Sequence, residues 1–170
     1  DAPCEVWVMR VTDEASLVGA AAAERPEVFV SGALHGDERI GPVTALETAR
    51  LLVKAAACVS RIEGADGAAG GAAGGVVSAA KCVDLGEITT SEQRALEGGA
   101  GDALLGGERL LWLARLVRSR SVYVVPMANA VGYEGKQRTE LRVDVNRDFA
   151  FDTGAKDCMR SVAARALNEL

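Results

Sequence analysis

The sequence predicts an α/β fold in which short strands alternate with helices. Three observations carry this reading. Segments rich in β-branched residues recur between segments whose apolar residues repeat at helical spacing. One strand segment, Val28 to Leu34 (VFVSGAL), is apolar almost without alternation, as in a strand covered on both faces of a central sheet. Strand–turn–helix order repeats along the chain, the pattern of an α/β sandwich. At 170 residues, with a hydrophobic fraction of 49%, the chain suits one domain with a packed core.

The elements follow in order. Glu5 to Val11 (EVWVMRV) reads as the first strand and Val28 to Leu34 as the second. Gly41-Pro42 opens a helix, with proline in the first turn. Val43, Leu46, Ala49, Val53 and Ala56 share one face of it, with Glu47 and Lys54 opposite. Gly64 to Gly75 is low in complexity; it predicts a mobile surface insertion at about 59–82 within a single domain spanning 1–170. A short helix over Thr90 to Glu97 stops at Gly98-Gly99. Another covers Glu108 to Arg118, burying Leu110, Leu113 and Val117. Ser121 to Val125 is a strand ended by Pro126, and Leu141 to Val145 a further short strand. A last helix spans about Lys156 to Leu170, with Cys158, Val162, Ala166 and Leu170 on one face. No internal repeat is present.

Composition narrows the function classes. Net charge is -5 with both signs interspersed, and no basic stripe marks a nucleic-acid surface. No apolar run is long enough to span a membrane, and no signal peptide is visible. The chain opens at Asp1 instead of Met, so processing or cropping is expected. Cys4, Cys58, Cys82 and Cys158 form no CxxC pair, which argues against a cysteine zinc site. Whether they pair or stay as isolated thiols is open, and so is the compartment.

Two constellations carry chemistry. His35 is the only histidine, and Glu38 lies three residues on, between a buried strand and a helix. Strand ends of this kind gather ligands in open α/β sheets. An imidazole nitrogen and a carboxylate oxygen at this spacing can meet one Zn²⁺ across a turn. Gly32 and Gly36 let the backbone bend around the site. The same residues also suit a hydrogen-bonded histidine ahead of an acidic helix start. Asp37 is an alternative ligand, although adjacent side chains diverge.

The second constellation runs from Asn129 to Asp148. Asn129-Ala-Val-Gly132 has turn chemistry, with Gly132 free to take a positive φ. Alternation in the following strand puts Arg142, Asp144 and Asn146 on one face. Asp144 is then a carboxylate on an apolar strand, and one use for it is to accept the second N–H of a metal-bound histidine. Asn146 and Arg147 can hold a carboxylate together, provided the backbone turns between them. A strand-end turn with a surface arginine reads equally well from these residues alone.

Taken together and in this order, three segments resemble the zinc metallocarboxypeptidases. His35-Gly-Asp-Glu38 looks like the family's HxxE metal motif. Pro126-Met-Ala-Asn-Ala-Val-Gly-Tyr133 looks like its PxxNPDGY turn, and Val143-Asp-Val-Asn-Arg-Asp-Phe149 like its VDLNRNF segment. The resemblance implies a mixed-sheet α/β/α sandwich of the zinc carboxypeptidase type, incomplete at the C-terminus. It implies that His35 and Glu38 ligate Zn²⁺ and that Asp144 supports the ligand histidine. Asn146 and Arg147 then grip the terminal carboxylate of a peptide or protein substrate. Arg138, with Arg142 as second choice, polarises the scissile carbonyl.

The departures are specific. The family uses a second ligand histidine, a glutamate general base and a mobile tyrosine further along the chain. No histidine follows His35 here. Ala130-Val131 replaces the usual Pro-Asp of the turn. The expectation is therefore a carboxypeptidase piece that is inactive by itself. A zinc deacylase of N-acyl amino acids in the same superfamily is an alternative, though the Asn129 to Tyr133 turn favours the peptidase. A non-catalytic binding module derived from the fold is another.

Overall fold

The computed structural model describes residues 5–19, 24–68, 77–98, 103–150 and 157–170. The strands are β1 (Met9–Val11), β2 (Glu27–Ser31) and β3 (Ser121–Val125). The helices are α1 (Gly41–Ala68), α2 (Ala79–Asp84), α3 (Thr90–Glu97), α4 (Ala103–Ser119), α5 (Ala130–Gly135) and α6 (Val162–Asn168). The fold is therefore mixed α/β, built on a small three-stranded sheet ordered β1-β3-β2. β2 and β3 run in the same direction: Ser121 N–H donates to Pro26 C=O near their starts, and Gly32 N–H to Val125 C=O beyond their ends.

The order of the sheet explains one departure from the sequence reading. β3 is the middle strand and is largely buried, with Val124 and Val125 inaccessible. β2 lies at the edge, and Val28 and Phe29 are exposed, so the apolar VFV run is not covered on both faces. β1 is also shorter than expected, beginning only at Met9.

Contacts group the chain into two compact units. One comprises Asp1–Arg10, Phe29–Glu47 and Tyr123–Leu170; the other comprises Val11–Val28 and Thr48–Val122. The core of the second unit brings together Ala55, Cys58, Ile62, Cys82, Leu96 and Leu110. Cys58 and Cys82 form a disulfide at the centre of this cluster, a pairing that the sequence leaves open. α3 starts at an N-terminal capping box, in which Thr89 accepts the Glu92 N–H and Glu92 reaches back to Thr89. Lys54 and Glu92 pair at 2.6 Å.

α1 buries a different face from the one its valines suggest. Ala45, Ala49, Leu52, Ala55, Val59 and Ile62 are buried, whereas Val43, Leu46 and Val53 are exposed. Apolar residues occur all round this helix, so periodicity alone does not select the face. The helix also runs well into the Gly/Ala-rich stretch: 59–68 continue α1, 79–82 begin α2, and 69–76 lie outside the described residues.

In the first unit, Val145, Ala163 and Ala164 form a small core with Leu34, Phe149 and Met159 packed on it. α6 is shorter than expected, and Ala163 and Ala164 are its buried residues in place of the Val162 and Ala166 stripe. The start of the expected helix at Lys156 lies outside the described residues. Leu141 to Val145 is not a strand. Glu140 and Val143 exchange backbone hydrogen bonds of 2.9 and 2.8 Å across a two-residue reversal, with Leu141 and Arg142 both at positive φ. Left-handed conformation at both central positions is what a tight primed turn requires. Leu141 is 76% exposed there, so its apolar side chain adds nothing to the core.

Candidate metal and carboxylate site

The site is built within the first unit, where the chain leaving β2 meets the turn that follows β3. Gly32 and Ala33 accept the Ala128 and Asn129 N–H groups, each at 3.0 Å, which lays the two loops side by side. Gly36 N–H then donates to Arg138 C=O at 3.3 Å. A Cβ on Gly36 would collide with the Gly132 and Tyr133 backbone and with Gln137 O. Gly36 is thus required for close approach of two backbones more than for bending.

Asn129 caps α5. Its Oδ1 accepts the Gly132 N–H at 2.8 Å, and the side chain is buried. Gly132 is helical and packs against Asn129 and the Thr139 carbonyl oxygen. The freedom of Gly132 to take a positive φ is not used, and close packing is the reason for glycine there.

His35 is buried at this junction, 7% exposed, between two carboxylates. Its Nδ1 lies 2.9 Å from Glu38 Oε1, and its Nε2 lies 3.2 Å from Asp144 Oδ1. The Nε2 contact is within ion-pair distance but is not aligned as a hydrogen bond, which leaves that nitrogen as a buried polar atom without one. Glu38, on the Nδ1 side of the ring, is largely exposed, whereas Nε2 is buried.

Asp144 joins the two constellations. Its Oδ2 accepts the Arg138 Nε–H at 3.0 Å and its Oδ1 accepts the Asn146 N–H at 3.1 Å. Burial alone would raise the Asp144 pKa. The Arg138 hydrogen bond and charge, the Asn146 N–H and the nearby His35 outweigh it and hold the carboxyl below its ordinary value. Asp144 is also the N-cap of a 3₁₀ turn, Val145–Arg147. That turn supplies the change of direction that a joint role for Asn146 and Arg147 requires. Asn146 is half-buried, and the exposed Arg147 donates through Nη1 to Asn146 C=O at 3.0 Å. Arg142 sits in the exposed left-handed turn, which leaves Arg138 as the arginine next to Asp144.

Two features were not read from the sequence. Arg39 donates through Nη1 to the Tyr133 C=O, and its guanidinium lies 3.7 Å above the Tyr133 ring. Glu140, 4% exposed, accepts the Val162 and Ala163 N–H groups at the start of α6. A buried glutamate in a polar stretch leaves no periodic signal.

Comparison with known families finds a match for one segment. Residues 4–63 match the family model of the zinc carboxypeptidases. This stretch contains the His35-Gly-Asp-Glu38 motif, and the match agrees with the resemblance drawn from the sequence. No curated protein and no solved structure matches the chain. The imidazole and carboxylate donors of His35 and Glu38 suit Zn²⁺ by type. Among the described residues no group of three or more His, Cys, Asp or Glu side chains converges as a complete metal cage. No helix of the described residues is long and apolar enough to cross a membrane.

Proposed function

We propose that this chain carries the amino-terminal part of a zinc-dependent carboxypeptidase site that acts on peptide or protein C-termini. The observation that supports it best is His35 held between Glu38 on its Nδ1 side and Asp144 on its Nε2 side. His35 and Glu38 would hold Zn²⁺, which when bound supplies Lewis-acid polarisation and an activated water.

In this reading Asp144, 3.2 Å from Nε2, would accept the Nε2–H once the two align, which would orient the His35 ring and leave Nδ1 as the donor of the lone pair. The same carboxylate holds Arg138 through Nε, and the Nη groups are the donors Arg138 offers to the scissile carbonyl as negative charge develops on it. Asn146 and Arg147 select a free C-terminus by binding its carboxylate with an amide and a guanidinium. Arg147 gives up its contact with the Asn146 carbonyl to do so. Catalytic zinc sites keep three protein ligands. With a single histidine in 170 residues, the chain alone binds zinc weakly and hydrolyses nothing.

Zinc titration against a competing chromophoric chelator tests the assignment. Weak binding that disappears in His35→Ala and falls in Glu38→Ala is expected. Binding of equal strength in His35→Ala would overturn it, and chelator-sensitive turnover of a peptide by the chain alone would overturn the claim of inactivity.

A further inference from the structure

We infer that Arg39 is a positioning residue, which locks the His35–Glu38 loop onto α5 by stacking on Tyr133. The inference rests on the reading of His35 and Glu38 as metal ligands, and concerns what holds them at the right spacing. Glu38 is exposed and Arg39 follows it directly, so whatever restrains Arg39 restrains the backbone that carries the carboxylate. Arg39 is restrained twice by one residue: its guanidinium donates to the Tyr133 C=O and its central carbon lies 3.7 Å from the centroid of the Tyr133 ring. A planar guanidinium can do both at once, whereas an ammonium group cannot.

Tyr133 is itself fixed. It belongs to α5, which is capped by Asn129 and pressed against Gly36 through Gly132. The loop is therefore pinned at Gly36 on one side of Asp37 and Glu38, and at Arg39 on the other. Between the pins, Glu38 N–H donates to His35 C=O at 3.2 Å, a one-turn closure that sets the approach of the two side chains. Without the Arg39 pin, the far end of that turn keeps its backbone bonds, Gly41 N–H to Glu38 C=O at 3.1 Å and Arg39 N–H to Asp37 C=O at 2.9 Å, but loses its side-chain tie to α5.

Amide hydrogen exchange on the full chain tests this without relying on zinc. Exposed cation–π pairs are worth enough to change a local opening equilibrium about two- to fivefold. Arg39→Ala and Tyr133→Ala should each lower protection of the Gly36 and Glu38 amides by that factor while leaving the α4 amides unchanged. Tyr133→Phe keeps the ring and the carbonyl and should match the parent, and Arg39→Lys should fall between. Unchanged protection in Arg39→Ala, or equal loss in Tyr133→Phe and Tyr133→Ala, would overturn the inference. Zinc titration of the same variants separates the two proposals. A parent chain that takes up no zinc removes the metal reading, while the exchange data still decide what Arg39 does.

Discussion

The carboxylate of Glu140 accepts the Val162 N–H at 2.7 Å, from a helix 22 residues further along the chain. Its second oxygen takes the Ala163 N–H at 2.9 Å, so one buried side chain satisfies two donors of the first turn of α6. Glu140→Ala leaves those donors buried and unpaired and should cost about 1–3 kcal/mol. Glu140→Gln keeps one acceptor and should cost less. Urea unfolding of the three proteins checks both the size and the order.

Asp148 anchors the start of the same helix through its N-cap residue. Its Oδ2 accepts the Ser161 N–H at 2.6 Å and the Ser161 Oγ–H at 2.8 Å, and Ser161 in turn caps α6. Burial would raise the Asp148 pKa, but hydrogen bonds from Ser161 and Arg160 and the Arg160 charge hold it below its ordinary value. The folded state therefore binds this proton less readily than the unfolded chain. Its contribution to stability is present in full above the ordinary aspartate value of about 3.9 and is lost as pH falls through the lower, folded value. In Asp148→Asn, the acid limb of a stability–pH curve should be shallower than in the parent. The gap between the two curves should shrink below about pH 4.

The Cys58–Cys82 disulfide closes a separation of 24 residues between α1 and α2, inside the core of the second unit. Loop-closure entropy for that length predicts a contribution of roughly 3–4 kcal/mol. Cys58→Ala combined with Cys82→Ala should lower the unfolding midpoint accordingly. Both cysteines are inaccessible, so a mild thiol reductant should not break the bridge in the folded protein. Rapid reduction under native conditions would contradict the burial.

Gly36→Ala tests the backbone approach at the site. The added methyl would collide with the Gly132–Tyr133 peptide, which is backbone and cannot rotate away. Overpacking of this kind costs about 1–3 kcal/mol. The effect should appear as a lower unfolding midpoint and as loss of Gly36 amide protection. A neutral outcome would show that the two loops separate easily.

Much of the candidate site's grouping was legible in the sequence because its residues lie in two short segments. His35 and Glu38 sit on one turn, and Asp144, Asn146 and Arg147 on another. α3 and β3 fall where the glycine stop and the β-branched run place them, since Gly98 and Pro126 act within a few residues of their own elements. What stayed hidden depends on distant partners or on a local turn that imitates another element. The Leu141 to Val145 alternation imitates a strand, but the exchange between Glu140 and Val143 folds it into a turn. The buried face of α1 is chosen by what packs on it, and its own residues are apolar on both sides. The glycines at 36 and 132 answer to each other across nearly a hundred positions, and no window of sequence contains both.

The bridge between Cys58 and Cys82 also changes what a protease can accomplish. A single cut between these positions leaves two polypeptides that still migrate as one molecule until they are reduced. The fragments stay tethered through the middle of the second unit, so refolding after such a nick remains a unimolecular event. Electrophoresis of nicked protein with and without reductant would therefore report the connectivity of the chain independently of its structure.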